Sequence, residues 1–426
     1  MKFLKKLTPF TMPFLLAACG NDDLDPSYVD APDVYEYTSL TDPSAPSSVD
    51  YREATTRLTL VKELEYLIGS DELQTFGQET KSIDAVMALL NRIYEGGTNL
   101  SFSNNLAGVN LYDNSSSPTQ VKGINVSNNT LTFANNSIAE NTNIKDALSL
   151  NANQQIQNWF TAIAFMAVDD DDSTRFSKDG FNFQALVTGY LSIVMPFDQA
   201  SNTYLNSESL AASNTRGDSS TPYTPLEHNW DLAFGYFGTN KSVKNQSLDA
   251  IVATQETGTS QLNNYVFDVA AATAQRDLDS TLREANFSQL LIEDFLDGRT
   301  IISLDENHAS FSKQRVLINQ YATNILYNWE KALAATLIYH TKNTIINRYS
   351  LDKYDYHWAM MITYAQAITT YPDSALTPEV YASLTKDKIG YSNLASQTTY
   401  LGTLYDAEQS IKEIYGFSDS DVLSWK

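Results

Sequence analysis

Residues 313–348 read KQRVLINQYATNILYNWEKALAATLIYHTKNTIINR. Within them Ile318, Ala322, Ile325, Trp329, Ala332 and Thr336 recur at steps of four and three, which sets them on one stripe of an α-helix. A stripe of that length is the seam of a helical bundle. The same period spreads outward. Leu58, Val61, Glu65 and Ile68 share a stripe that Leu60, Leu64 and Leu67 widen, and Gly69 stops it. Ser82 reads as the N-cap of a second helix, through Val86, Leu89, Leu90 and Ile93 to Gly96-Gly97. Ile156, Trp159, Phe160 and Ile163 mark a third that begins near Ile144. Further helices are expected at about 181–206, 225–238, 285–303, 353–371, 395–415 and 419–425, with Pro372 closing one of them.

No alternation of strand and helix is present that would build a parallel sheet. The chain therefore reads as all-α, with two packed helical bundles over 51–238 and 239–426, parted by the polar stretch that follows Gly238. Residues 97–143, rich in Asn, Ser and Gly, read as a long polar loop in the first half, with room for a small hairpin. Asp169, Asp170, Asp171 and Asp172 interrupt the helical period. No register there supplies the spaced ligands, the glycine at the sixth position and the closing glutamate of a calcium loop, so the run reads as a solvated acidic turn.

Across 426 residues, 51 acidic side chains face 28 basic ones, a net charge of −23 that no basic stripe offsets, which excludes nucleic acid as a partner. A hydrophobic fraction of 42% and an aromatic fraction of 12% exclude a disordered chain. The single cysteine, Cys19, rules out an intramolecular disulfide and any cysteine-built metal site. Four histidines (His228, His308, His340 and His357) are too few for a store of many histidine-bound copper or zinc ions.

Lys2, Lys5 and Lys6 precede an apolar stretch from Leu7 to Leu16 that is too short to span a bilayer. It ends in Leu16-Ala17-Ala18-Cys19, which resembles a bacterial lipoprotein signal. The resemblance implies a signal peptide over 1–18, cleavage before Cys19 and a lipid on its thiol. The mature chain then carries 51 acids against 25 bases. An aspartate that retains some lipoproteins at the inner membrane would follow the cysteine; Gly20 stands there, which points to the outer membrane, facing the periplasm or the cell surface. From residue 20 to about Asp50, Pro26, Pro32, Pro43 and Pro46 lie among aspartates and serines, so 19–50 reads as an acidic tether.

Three signatures are absent: the Gly-x-Ser-x-Gly elbow, the phosphate loop and the His-Glu-x-x-His zinc helix. One segment stands out, Tyr223-Thr224-Pro225-Leu226-Glu227-His228-Asn229-Trp230-Asp231-Leu232-Ala233-Phe234-Gly235-Tyr236-Phe237-Gly238. Thr224 suits an N-cap and Pro225 the first helical position. At ~100° per residue, Glu227, His228 and Asp231 fall within about a 100° arc. Two carboxylates and an imidazole on one face suit iron, manganese or zinc. Glu227 and Asp231 also suit the positive end of the helix dipole, with His228 simply paired to them. Arg299, after Gly298 on a mainly apolar helix, is placed to reach an interior carboxylate or to pair with Asp297. His357-Trp358 reads as a packing pair, with His357 the first choice for a second ligand from another helix, while His308 and His340 look incidental.

The segment resembles the signature of the imelysin-like lipoproteins, in the branch described only as a domain of unknown function, 4856. That signature runs approximately Glu-His-x-Trp-Asp-Glu-Ala-Phe-Gly-Tyr-Phe-Gly, and Leu232 stands where the family carries glutamate. Thr55-Thr56-Arg57-Leu58, Glu63-Leu64, Gln184-Ala185, Gly189, Gln199, Tyr204-Leu205, Phe295-Leu296-Asp297-Gly298-Arg299, Trp329-Glu330 and His357-Trp358 follow the family's landmarks in order. The resemblance implies two side-by-side bundles related by duplication, and a link to iron uptake or peptidase activity. It adds Glu63, with Arg299 and His357, as accessory groups to a metal site at Glu227, His228 and Asp231. The family's Gly-x-His-x-x-Glu motif is replaced here by His228-Asn229-Trp230-Asp231, with no glycine two residues before the histidine. The function expected is therefore a lipid-anchored binding protein for a metal ion or metal complex, working with the membrane and an envelope transporter. A metal-dependent peptidase of imelysin type and a non-catalytic surface scaffold are the alternatives.

Overall fold

The run Ala332 to Ile338 is apolar but for Thr336, and a helix apolar on nearly all sides must be surrounded. In the computed structural model those seven residues are all buried, in a helix spanning Gln314–Ile346. The structure describes residues 30–39, 42, 44–95, 152–169, 177–178, 181–215, 221–239, 241–242, 244, 287–304, 311–385 and 394–425. Cys19, the expected loop at 97–143, Asp170 to Asp172 and His308 lie outside them.

The N-terminal helices are α1 (Arg52–Gly69), α2 (Asp71–Thr80), α3 (Ile83–Tyr94) and α4 (Ala152–Val168). Ser82 caps α3 as its sequence suggests, accepting the Ala85 N–H at 3.2 Å. A two-residue antiparallel ladder, β1 (Ser177–Lys178) with β2 (Phe181–Asn182), precedes α5 (Phe183–Gly189). The single helix expected at 181–206 is instead a composite. From α5 the chain passes through a π-helical segment (Tyr190–Val194), α6 (Met195–Asp198) and a second π segment (Gln199–Tyr204). Pro196, which has no N–H to give a helical ladder, lies between the two wide segments. Then come α7 (Ser207–Leu210), α8 (Pro225–Phe237), α9 (Phe287–Ile302), α10 (Gln314–Ile346), α11 (Leu351–Thr370), α12 (Pro378–Thr385), α13 (Leu394–Tyr415) and α14 (Asp419–Ser424).

The all-α class stands. Helix α10 packs against α9, α11 and α13, while α11 also lies along α5 and the first π segment. Gly189 permits that approach: a Cβ there would meet the Thr363 hydroxyl at 2.7 Å. Trp329 of α10 sets its ring edge against Phe197 (5.4 Å) and Phe237 (5.1 Å) from the first half. One apolar core thus crosses position 238, and the division expected there parts the sequence rather than the core. Glu330, beside Trp329, accepts the Tyr415 hydroxyl at 2.6 Å and the Ala375 N–H at 2.8 Å, which ties α10 to α13 and to the turn after α11.

The tether expectation fails for the described residues up to Asp50. Tyr35, Tyr37, Ser39 and Ser48 are buried, and the Tyr35 ring stacks on Phe234 with centroids 3.8 Å apart. Tyr35 N–H donates to Lys241 O, and the Ser39 hydroxyl donates to Pro222 O. This segment is a strap laid across α8 and α9. Buried Tyr35, Tyr37 and Ser39 alternate with exposed Glu36 and Thr38, the period of an extended chain with one face on a core.

Candidate functional site: a buried arginine between two carboxylates

Helix α8 starts at a reciprocal cap. The Thr224 hydroxyl accepts the Glu227 N–H at 3.2 Å, and the Thr224 N–H donates to Glu227 Oε2 at 2.8 Å. One carboxylate oxygen of Glu227 is therefore spent on the helix's own first turn. Asp231, four residues on, shares its side of the helix. Helix α9 approaches this side closely because Gly298 has no side chain: a Cβ there would press into the Trp230 ring. Trp230 in turn donates its Nε1–H to Phe295 O at 3.0 Å. The residue after Gly298 is Arg299, and this contact delivers it between the two carboxyls.

Arg299 donates from Nε to Asp231 Oδ1 at 2.8 Å and from Nη1 to Glu227 Oε1 at 3.0 Å. Nη1 also reaches Ser303 Oγ at 2.6 Å, and Nη2 reaches Ser48 Oγ at 2.9 Å. The strap supplies more than Ser48. The Tyr37 ring covers the guanidinium at 4.8 Å, the Tyr35 hydroxyl donates to Asp231 Oδ1 at 2.9 Å, and the Asp50 N–H donates to Asp231 Oδ2 at 3.2 Å. Arg299 and Asp231 are 0% exposed and Glu227 2%. Burial pushes the Asp231 carboxyl up, against the opposing pull of Arg299 and of the donors from Arg299, Tyr35 and Asp50. Burial also works against the Arg299 charge, but the carboxylates of Asp231 and Glu227 outweigh it and hold the guanidinium protonated.

His228 does not join this group. Its Nδ1 lies 2.9 Å from Asp50 O, and its ring stacks on Tyr223 with centroids 4.4 Å apart at 10°. A carbonyl only accepts, so Nδ1 carries the proton. The three residues expected to chelate a divalent ion thus divide: Glu227 and Asp231 close on Arg299, and His228 pins the strap. The donor set does not fit a metal, because a guanidinium already fills the space between the carboxylates and the imidazole is turned elsewhere. Among the described residues, no three His, Cys, Asp or Glu side chains are grouped to hold a metal ion.

Of the accessory residues, Arg299 is the centre of the site. Glu63 is buried on α1, outside the groups that bond Arg299. His357 of α11 instead meets His340 of α10, with their Nδ1 atoms 3.0 Å apart. Tyr35, Tyr37, Ser48 and Asp50 were missed, although the alternation at 35–39 carried a signal. Arg57 and Gly235 hold α8 from its other side. Arg57 donates to the Tyr236 hydroxyl, and a Cβ on Gly235 would meet Tyr51 Cβ at 2.7 Å and Ala54 Cβ at 2.8 Å. Another buried acid, Asp198, lies where the two π segments flank α6. Burial raises its pKa to about 6, against bonds from Asn202 and Gln199.

The family described as Domain of unknown function (DUF4856) matches residues 36–340, a span that begins inside the strap and covers α8, α9 and nearly all of α10. No curated protein and no solved structure matches.

Proposed function

The chain belongs to the family described as a domain of unknown function, DUF4856, and on that premise we propose a lipid-anchored, non-catalytic binding protein of the cell envelope. One observation carries the non-catalytic part. The charged residues of the signature segment are consumed by Arg299, the α8 cap and the strap, so neither Glu227 nor Asp231 forms with His228 a pair that could activate water. The metallopeptidase alternative loses its motivation with that pair. In this reading residues 227–231 are a brace.

Attachment through Cys19 rests on the Leu16-Ala17-Ala18-Cys19 pattern, and the outer membrane on Gly20. Among the described residues no helix is long and apolar enough to cross a membrane. Cargo is proposed to be a metal ion or metal complex passed to an envelope transporter, supported by the excess of 51 acids over 28 bases, which concentrates cations near the surface. The test is membrane fractionation of wild type and Cys19→Ser, with elemental analysis of the protein purified without chelators. Release of the variant and near-stoichiometric metal are expected. Unchanged fractionation refutes the anchor, and a metal-free protein that takes up no metal refutes the cargo.

A further inference from the structure

Helices α10 and α11 are antiparallel neighbours, and one histidine from each meets in their interface. The Nδ1 atoms of His340 and His357 are 3.0 Å apart, while the ring centroids are 5.2 Å apart. The centroid separation exceeds the nitrogen separation by about two ring radii, so both nitrogens lie near the line between the rings. They face each other head-on. Tyr339, Tyr356 and Tyr364 enclose the pair, with Tyr364 stacked on His340 at 5.4 Å and Tyr356 set edge-to-face on His357 at 5.2 Å. His340 is buried and His357 partly exposed, which leaves one ring free to adjust.

Head-on nitrogens discriminate between cations. A tetrahedral or octahedral ion needs lone pairs that converge at ~90–110° and further ligands. Neither condition is met, since no third His, Cys, Asp or Glu joins the pair among the described residues. A divalent charge would also enter this interface with no carboxylate to balance it, a costly burial. A monovalent ion that prefers two ligands in line needs no convergence, and its single charge keeps lower the burial cost to which Lys353, acting on His357, adds. We propose that His340 and His357 form a linear, two-coordinate site for a d¹⁰ monovalent cation, copper(I) or its surrogate silver(I). The inference deepens the binding-protein reading by naming its site and the class of ion.

Two metal–nitrogen bonds of about 2 Å end to end span ~4 Å, so the rings must part by roughly 1 Å. His357, at the edge of the interface, supplies that movement. The neutral pair holds one proton between its Nδ1 atoms. As the ion enters, that proton passes through solvent to Nε2 of the same ring, so no net proton and no electron is exchanged.

The test is anaerobic titration of the full chain carrying Cys19→Ser, which removes its one thiol, with copper(I) against a chromophoric copper(I) chelator. X-ray absorption on the loaded protein follows. One equivalent per chain and a two-coordinate nitrogen environment are expected. His357→Gln and His340→Gln should each weaken binding by more than the roughly 10–100-fold lost with a mere supporting group. Circular dichroism selects variants that fold, and the partly exposed His357 is the safer of the two. Retained affinity in folded His357→Gln, or a three- or four-coordinate copper spectrum, overturns the proposal. If the chain takes up zinc, iron or manganese but not copper(I), this site falls while the cargo reading stands. If it takes up none of the four, both fall.

Discussion

Arg299→Met is the sharpest test of the brace. The change removes four hydrogen bonds and leaves the carboxyls of Glu227 and Asp231, 2% and 0% exposed, without their cation. Breaking a buried pair by deleting one partner costs ~3–5 kcal/mol, because a charge stays in the interior uncompensated. Asp231, whose carboxyl burial already pushes up, relieves part of that penalty by taking up a proton, so the loss should be smaller at pH 5 than at pH 7. The triple variant Arg299→Met, Glu227→Gln, Asp231→Asn leaves no charge behind and should recover most of the loss, as neutral replacement of buried ion pairs commonly does. Urea unfolding followed by tryptophan fluorescence reads all three proteins. An Arg299→Met midpoint equivalent to within ~1 kcal/mol of wild type, the range of an exposed ion pair, refutes the reasoning. So does a triple variant no more stable than the single one.

Gly298→Ala places a Cβ against the Trp230 ring in a packed interface. Overpacking of this kind costs ~1–3 kcal/mol, and thermal melts should show it, while Gly402→Ala, with open space around it, serves as the control. Asp198 has a folded pKa of about 6 against 3.8 for the free group, so the folded state holds a proton that the unfolded chain has released. This group's contribution is intact below pH ~4, is lost as pH rises toward 6, and leaves a penalty of up to ~3 kcal/mol above that. Asp198→Asn should therefore stabilise at pH 7 and be near neutral at pH 4. A wild-type-minus-variant difference that does not change with pH contradicts the burial of an ionised Asp198.

Much of the helical framework was legible because its signals are local. Ser82 and Thr224 announce α3 and α8, and the four-and-three spacing from Ile318 to Thr336 announces α10. The π segments were not, since widening a helix by one residue around Pro196 depends on what it packs against, not on composition. The strap was hidden by the opposite effect: prolines, serines and aspartates suggest a solvated linker even where Tyr35 and Tyr37 alternate inward. The site was half legible. Spacing placed Glu227 and Asp231 on one face, but nothing local tells a carboxylate pair that awaits a metal from one met by an arginine 68 residues away. The His340–His357 meeting required two helices in register and has no sequence motif at all.

The strap also bears on how the molecule would hang from the attachment proposed at Cys19. If the body began at α1, the 32 residues from Cys19 to Asp50 would let it drift up to about 110 Å from the lipid. The contact of Ala31 with the core leaves at most the 12 residues from Cys19 to Asp30 ahead of the body, about 40 Å at full stretch. A pull from that end would meet Ala31 and the Asp33–Lys244 ion pair before it reached Tyr35, whose hydroxyl bonds Asp231 on α8. On the proposed attachment, the strap thus links the lipid end to the buried Asp231–Arg299 pair, and the DUF4856 body would reach only partners within one short arm of the membrane surface.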